Sequence, residues 1–193
     1  RLLSAHTQPV DERIVIVEID EQSLAQQGAW PWPRSTHAQF LNQLAQAQPK
    51  SVLLDLIFAE PSVQAADDEL LAQALQKFPH IALPVLLLPQ GSKSIDADNT
   101  VYTEVLPIDL LAQHAQLGHI MAQTDSDNVL HSIDKHMRSN QTVYPALAAQ
   151  ASMMSHALDA SAQPRALIPY IAPVGSYPRV AYSDVLAGRV PNE

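Results

Sequence analysis

Asp20, Trp30, Trp32, Arg34, His37 and Asp55 are the residues of this chain whose types and spacing could do chemistry together. Two carboxylates brought close can hold a divalent cation or share a proton. A guanidinium between them would pair bidentately with either. Indole rings offer flat faces on which a planar ligand can stack, and an imidazole can ligate a metal or move a proton near neutral pH. Each residue also has a purely structural use. Asp20 sits where a helix N-cap belongs, and Asp55 could hold a backbone amide. An Asp–Arg–Asp cluster would be saturated, which suits a loop clamp better than a catalyst. The two tryptophans suit a lid closing the hydrophobic interior better than a ligand platform, because buried aromatics dominate packing. His37 falls on the apolar stripe of a predicted helix, which favours a core histidine over a metal ligand.

Asp125, Asp127 and Asn128 are candidate calcium ligands. The segment lacks the glycine and the distal glutamate of an EF-hand, and it reads equally as a hairpin turn. His114/His119 and His131/His136 are each five apart, which matches neither a helix face nor zinc-ligand spacing. The sequence has no glycine-rich phosphate loop, Ser-His-Asp signature or His-Glu-x-x-His string. It implies no cofactor.

The elements that must position these residues follow from the apolar pattern. Arg13–Asp20 is a nearly continuous β-branched run, the mark of a strand buried on both faces. A short helix over Gln22–Gln27 follows and stops at Gly28. In Trp30-Pro31-Trp32-Pro33-Arg34 both tryptophans precede proline, which predicts a stiff, extended loop. His37, Phe40, Leu41 and Leu44 recur at helical spacing, with Ser35 as the cap and Pro49 beyond the end. Lys50–Phe58 is a second strand, and Asp67 or Asp68 caps a helix bearing Leu70, Leu71, Ala74 and Leu75. Ile81–Leu88 is a third strand, and Pro84 makes it an edge or a bulge.

A long polar loop spans 89–106, a short helix covers Ile108–His114, and Leu117–Gln123 is a strand. After the turn at 124–128, Val129–Met137 could return as its hairpin partner. Pro145 opens a helix carrying Leu147, Ala148, Ala151, Met154, Ser155 and Leu158 on its inner stripe. The tail Leu167–Glu193, with four prolines, holds a strand-like piece at Arg179–Tyr182 and a helical turn at Ser183–Ala187.

Alternation of strands and helices predicts an α/β fold, with a mostly parallel central sheet, helices on both faces and a proline-rich C-terminal extension. Asp20 and Asp55 then end two strands on the carboxyl edge, where open α/β sheets bind ligands. Neighbouring strands would bring the two carboxylates together.

The chain has 193 residues and a formal charge of −9, so phosphate backbones are repelled and nucleic acid is not an expected partner. It has no cysteine, which removes disulfides and thiolate chemistry. No run reaches the roughly 18 apolar residues of a membrane span. The abrupt start at Arg1-Leu2-Leu3 and stop at Pro191-Asn192-Glu193 read as an excised piece of a longer protein.

The string from Arg13 to Leu24, then Trp30 to Arg34 with His37, resembles the opening of CHASE2 domains. Asp55, Phe58 and Glu60-Pro61 continue the likeness. So do Leu117-Gly118-His119, the Asp125–Asp127 turn, Tyr144–Ala148, Tyr177-Pro178 and Tyr182–Gly188. The resemblance implies a periplasmic sensory domain of a bacterial inner-membrane receptor, with residues 1–12 as a connector from a membrane helix and 13–193 as one domain. It implies further membrane helices after the domain and a cytoplasmic output: a nucleotide cyclase, a cyclic-di-GMP enzyme or a histidine kinase. Three departures stand out. Asp127-Asn128-Val129-Leu130-His131 replaces a segment with glycine and arginine, and Pro169–Pro173 replaces an Asn-Tyr pair followed by glycine. The usual final strand is missing, so the domain is expected to be truncated at its C-terminal end.

The leading expectation is therefore a sensor without its own chemistry, responding to an unknown small-molecule or protein signal. One alternative is a metal-dependent hydrolase using Asp20, Asp55 and Asp125. The other is a dimerisation or interaction module, with a homodimer as its simplest form.

Overall fold

The computed structural model describes residues 9–90, 101–155 (152–155 by backbone alone), 164–168 and 170–189. Most of the connector, the polar centre of the long loop, and Leu158 with the side chains of Met154 and Ser155 from the expected inner stripe of the helix after Pro145 lie outside these residues. The elements run β1 (Ile16–Glu18), α1 (Glu21–Gln27), α2 (Arg34–Leu44), β2 (Val52–Leu53), α3 (Ala65–Leu75), β3 (Ile81–Pro89), β4 (Tyr102–Val105), α4 (Asp109–Ala112) and β5 (Gln116–His119). They continue with β6 (Ser132–Asp134), β7 (His136–Ser139), β8 (Thr142–Pro145), α5 (Leu147–Ser155), β9 (Arg165–Leu167), β10 (Arg179–Ala181) and α6 (Tyr182–Leu186). Two compact units result, one from residues 1–49 with 169–193 and one from 50–168.

Helices and strands are mixed as expected, and some strands pair in parallel. A single central sheet is not what the described residues form. They form one four-stranded sheet and three two-stranded ladders. β1 pairs in parallel with β10, and β2 pairs in parallel with β3. Among the described residues no ladder joins β1 to β2, so Asp20 and Asp55 do not end neighbouring strands. The tail also differs from an extension. It returns β10 to β1 and packs α6 on α1 and α2.

In the first unit, α1 begins and ends where the sequence says. Asp20 is the N-cap, and its carboxylate accepts the Ser23 N–H at 2.8 Å. Gly28 closes the helix at φ 87°, a left-handed conformation that glycine adopts without strain. The N-cap of α2 is Pro33 rather than Ser35. A proline with φ near −57° feeds a helix directly, and helices commonly start beside one. Phe40, Leu41, Tyr182 and Val185 make the buried interior of this unit. β1 is not the doubly buried strand its composition predicts. Ile14, Val15 and Ile16 are 52%, 48% and 37% exposed, and Val17 and Glu18 are half-buried.

In the second unit, β3 is the central strand. β5 lies parallel along residues 82–85, β2 along 81–82, and β4 runs antiparallel along 86–89. The carbonyl of Ala82 accepts from Leu54 and that of Val85 from Ile120. Alternation therefore turns the nitrogen of Pro84 away from β5, into the gap between the β2 and β4 ladders. The β2 ladder ends at Leu53, where the N–H that Pro84 lacks would have continued it, and the Leu54 carbonyl accepts from Leu56 instead; Pro84 thus sits in a strand that is neither an edge nor bulged. The return of Val129–Met137 onto β5 is also replaced. β6 pairs with β9, and β7 forms its hairpin with β8 through Asn140 and Gln141. Val85, Leu87 and Tyr144 centre a core cluster joined by Leu117 and Met137.

Candidate functional site

Within the loop from Gly28 to Pro33, the Trp32 indole donates to the Gly28 carbonyl at 2.9 Å. The Trp30–Pro31 peptide is cis. Pro33 then delivers Arg34 as the first residue of α2, and His37 follows one turn later on the buried face. From this frame the aromatic side chains converge. Trp30 and Trp32 meet edge to face with centroids 5.2 Å apart, and Trp30 meets His37 in the same manner at 5.7 Å. Trp32 lies 5.1 Å from Tyr182, and Phe40 stacks on Tyr182 at 4.1 Å with planes 8° apart. Offset and edge-to-face geometries are the favoured ones for aromatic pairs, worth about 0.5–1.5 kcal/mol each beyond burial.

At the centre, His37 Nδ1 and the Tyr182 hydroxyl are 2.8 Å apart. Both residues are 2% exposed. Burial, reinforced by the Arg34 charge, pushes the His37 pKa down to about 4. Burial likewise pushes the Tyr182 phenol up from its ordinary value. At neutral pH the pair is thus uncharged, a closed hydrogen bond inside an aromatic shell. Sealed from solvent, His37 has no access to a substrate as acid, base or metal ligand. What faces outward is Trp30, 45% exposed, on a support whose rings are otherwise buried. An exposed indole on a rigid base can stack on a planar or apolar group with little further ordering cost.

The structure thus brings Trp30, Trp32 and His37 together, with Arg34 acting on His37 through its charge. Trp32 fills the lid role, and Trp30 does not. Asp20 is spent as a helix cap, and Ser23 hydrogen bonds, side chain first and backbone second, hold its carboxyl below the usual range. Asp55 belongs to the second unit, where it is exposed just beyond β2. At the acidic turn, Asp127 accepts the Val129 N–H at 3.0 Å with one oxygen and engages His131 Nε2 at 2.8 Å with the other. Among the described residues, no group of three or more histidine or acidic side chains is placed to hold a metal.

Tyr182, Phe40 and Ser23 complete the site and were not foreseen in it. Ser23 is fully buried, and its hydroxyl accepts the Ser183 N–H at 3.0 Å, tying α1 to α6. Phe40 was legible as part of the helix stripe. Nothing local announces that Tyr182 returns to His37 across 145 positions.

A family model of the CHASE2 domain matches residues 1–193, the whole chain. No curated protein and no solved structure matches it.

Proposed function

Because this chain belongs to the CHASE2 domain family, a family of extracellular sensory domains, we propose that it is the periplasmic input domain of a transmembrane receptor. Membrane helices flanking the domain would carry its state to a cytoplasmic output, namely a nucleotide cyclase, a cyclic-di-GMP enzyme or a histidine kinase. Among the described residues no helix is long and apolar enough to cross a membrane. The domain's part is recognition rather than catalysis, and Trp30 is its receiving surface.

The observation that carries this reading is the ring contact from exposed Trp30 through buried His37 to Tyr182. A planar or apolar group settling on Trp30 would press on rings that continue to α6, in the segment after β10. A change at the surface therefore has a packed route to another element. Asp20 caps α1 and Arg34 acts on His37 through its charge.

Both tryptophans of the chain sit in this cluster, so intrinsic fluorescence reports on it directly. Titration of the purified chain with nucleosides, aromatic acids and indole derivatives should shift or quench the emission, and Trp30→Ala should abolish that response. Unchanged emission and unchanged acrylamide quenching across such a panel would sink the proposal for Trp30. An alkaline phosphatase fusion, active only outside the cytoplasm, tests the location independently.

A further inference from the structure

The second unit has an open cleft of about 530 Å³ at the amino ends of β3 and β5. Asp55, just beyond the carboxyl end of β2, is not among the cleft's lining residues. Gln76 from the end of α3, Gln113 and His114 from the turn after α4, and Gln116 from the start of β5 supply its polar lining. Phe78 and Ile81, 6% and 2% exposed, supply its apolar base. The volume lies within the roughly 300–1,000 Å³ of small-molecule sites.

The lining is chemically selective. The chain has 20 acidic and 11 basic residues, yet among the described residues no carboxylate, ammonium or guanidinium lines this cleft. Its three carboxamides supply carbonyl acceptors and N–H donors, one of which, from Gln113, already goes to the Leu110 carbonyl at 3.3 Å, and His114 adds a ring nitrogen of either role. Such a set meets hydroxyl groups, which both give and accept. It has no permanently charged side chain to neutralise an ionised ligand, whose desolvation would go largely uncompensated. Gln76 Nε2 and His114 Nε2 lie 3.2 Å apart, so α3 and the α4–β5 turn are joined across the cleft by side chains that a ligand can re-pair.

We propose that this cleft binds an uncharged polyhydroxylated molecule of mono- or disaccharide size. The carboxamides and His114 take its hydroxyls, and its C–H face lies toward Phe78 and Ile81. The site is separate from the Trp30 surface and does not depend on it.

The test is a titration of the purified chain with glucose, maltose and trehalose, with glucuronate as the charged control. It is followed through the side-chain NH₂ resonances of Gln76, Gln113 and Gln116. Those resonances should move with at least one neutral sugar and stay still with glucuronate. Gln113→Ala and Gln116→Ala change exposed side chains and should each weaken binding roughly tenfold, the loss of one or two neutral hydrogen bonds. Trp30→Ala should leave it unchanged. Still resonances with all three sugars, or equal movement with glucuronate, overturn the inference. Sugar binding that survives both glutamine variants and disappears with Trp30→Ala also overturns it, while leaving recognition at Trp30 intact.

Discussion

His37 Nδ1 and the Tyr182 hydroxyl lie 2.8 Å apart, both residues 2% exposed, and join α2 to a segment 145 residues away. Their hydrogen bond has no competition from water, so its loss leaves a buried polar atom to pay the desolvation cost. Tyr182→Phe keeps the ring on Phe40 and removes only the hydroxyl. It should lower unfolding stability by about 1–3 kcal/mol, read as a lower urea midpoint at unchanged m-value. An unchanged midpoint would mean that His37 is satisfied without Tyr182.

The same burial makes stability depend on pH. His37 is held neutral in the folded chain, with its pKa down at about 4, while in the unfolded chain it titrates near 6.5. A base whose folded pKa is depressed contributes fully above the unfolded value. That contribution is lost as pH falls from about 6.5 toward 4, where the unfolded state binds the proton first. The total is on the order of 3 kcal/mol. His37→Gln removes the titration, so the difference between the two proteins, measured by urea unfolding from pH 7.5 to 4, should shrink steadily as pH falls. A constant difference over that range would contradict the neutral, sealed histidine.

Asp20 caps α1. Asp20→Ala should cost about 1 kcal/mol, the usual worth of a lost N-cap, and leave the fluorescence response at Trp30 in place. Loss of that response in a variant of otherwise normal stability would return Asp20 to the binding surface.

Gly118 is required by packing. A Cβ there would lie 2.7 Å from the Leu147 Cα and 2.9 Å from its backbone nitrogen. Both are backbone atoms at the start of α5, whose Gln150 side chain also donates to the Leu117 carbonyl at 2.9 Å. Gly118→Ala should therefore destabilise the chain by about 1–3 kcal/mol through forced displacement of α5 from β5, seen as a lower thermal midpoint. A wild-type midpoint would show that α5 can shift freely.

What the sequence determined by itself is local. Asp20 and Gly28 bracket α1, and the spacing of His37, Phe40 and Leu41 sets the buried face of α2. The β-branched runs mark where strands lie, and Ser183–Ala187 near the tail marks a short helical turn. Each of these depends on residues within a few positions, where capping, φ limits and helical periodicity act. Only the tertiary structure decided which strands pair. An apolar run says that a strand seeks a partner, not which one. β1 therefore took β10 from the tail instead of β2, and the supposed extension became part of the first unit. The site divided in the same way. Trp30, Trp32 and His37 lie within one loop and one helix turn, so their meeting was legible from local spacing. Tyr182 was not, because a hydrogen bond that closes across 145 residues is set by the packing of α6 on α2, and that packing leaves no periodic trace in the chain.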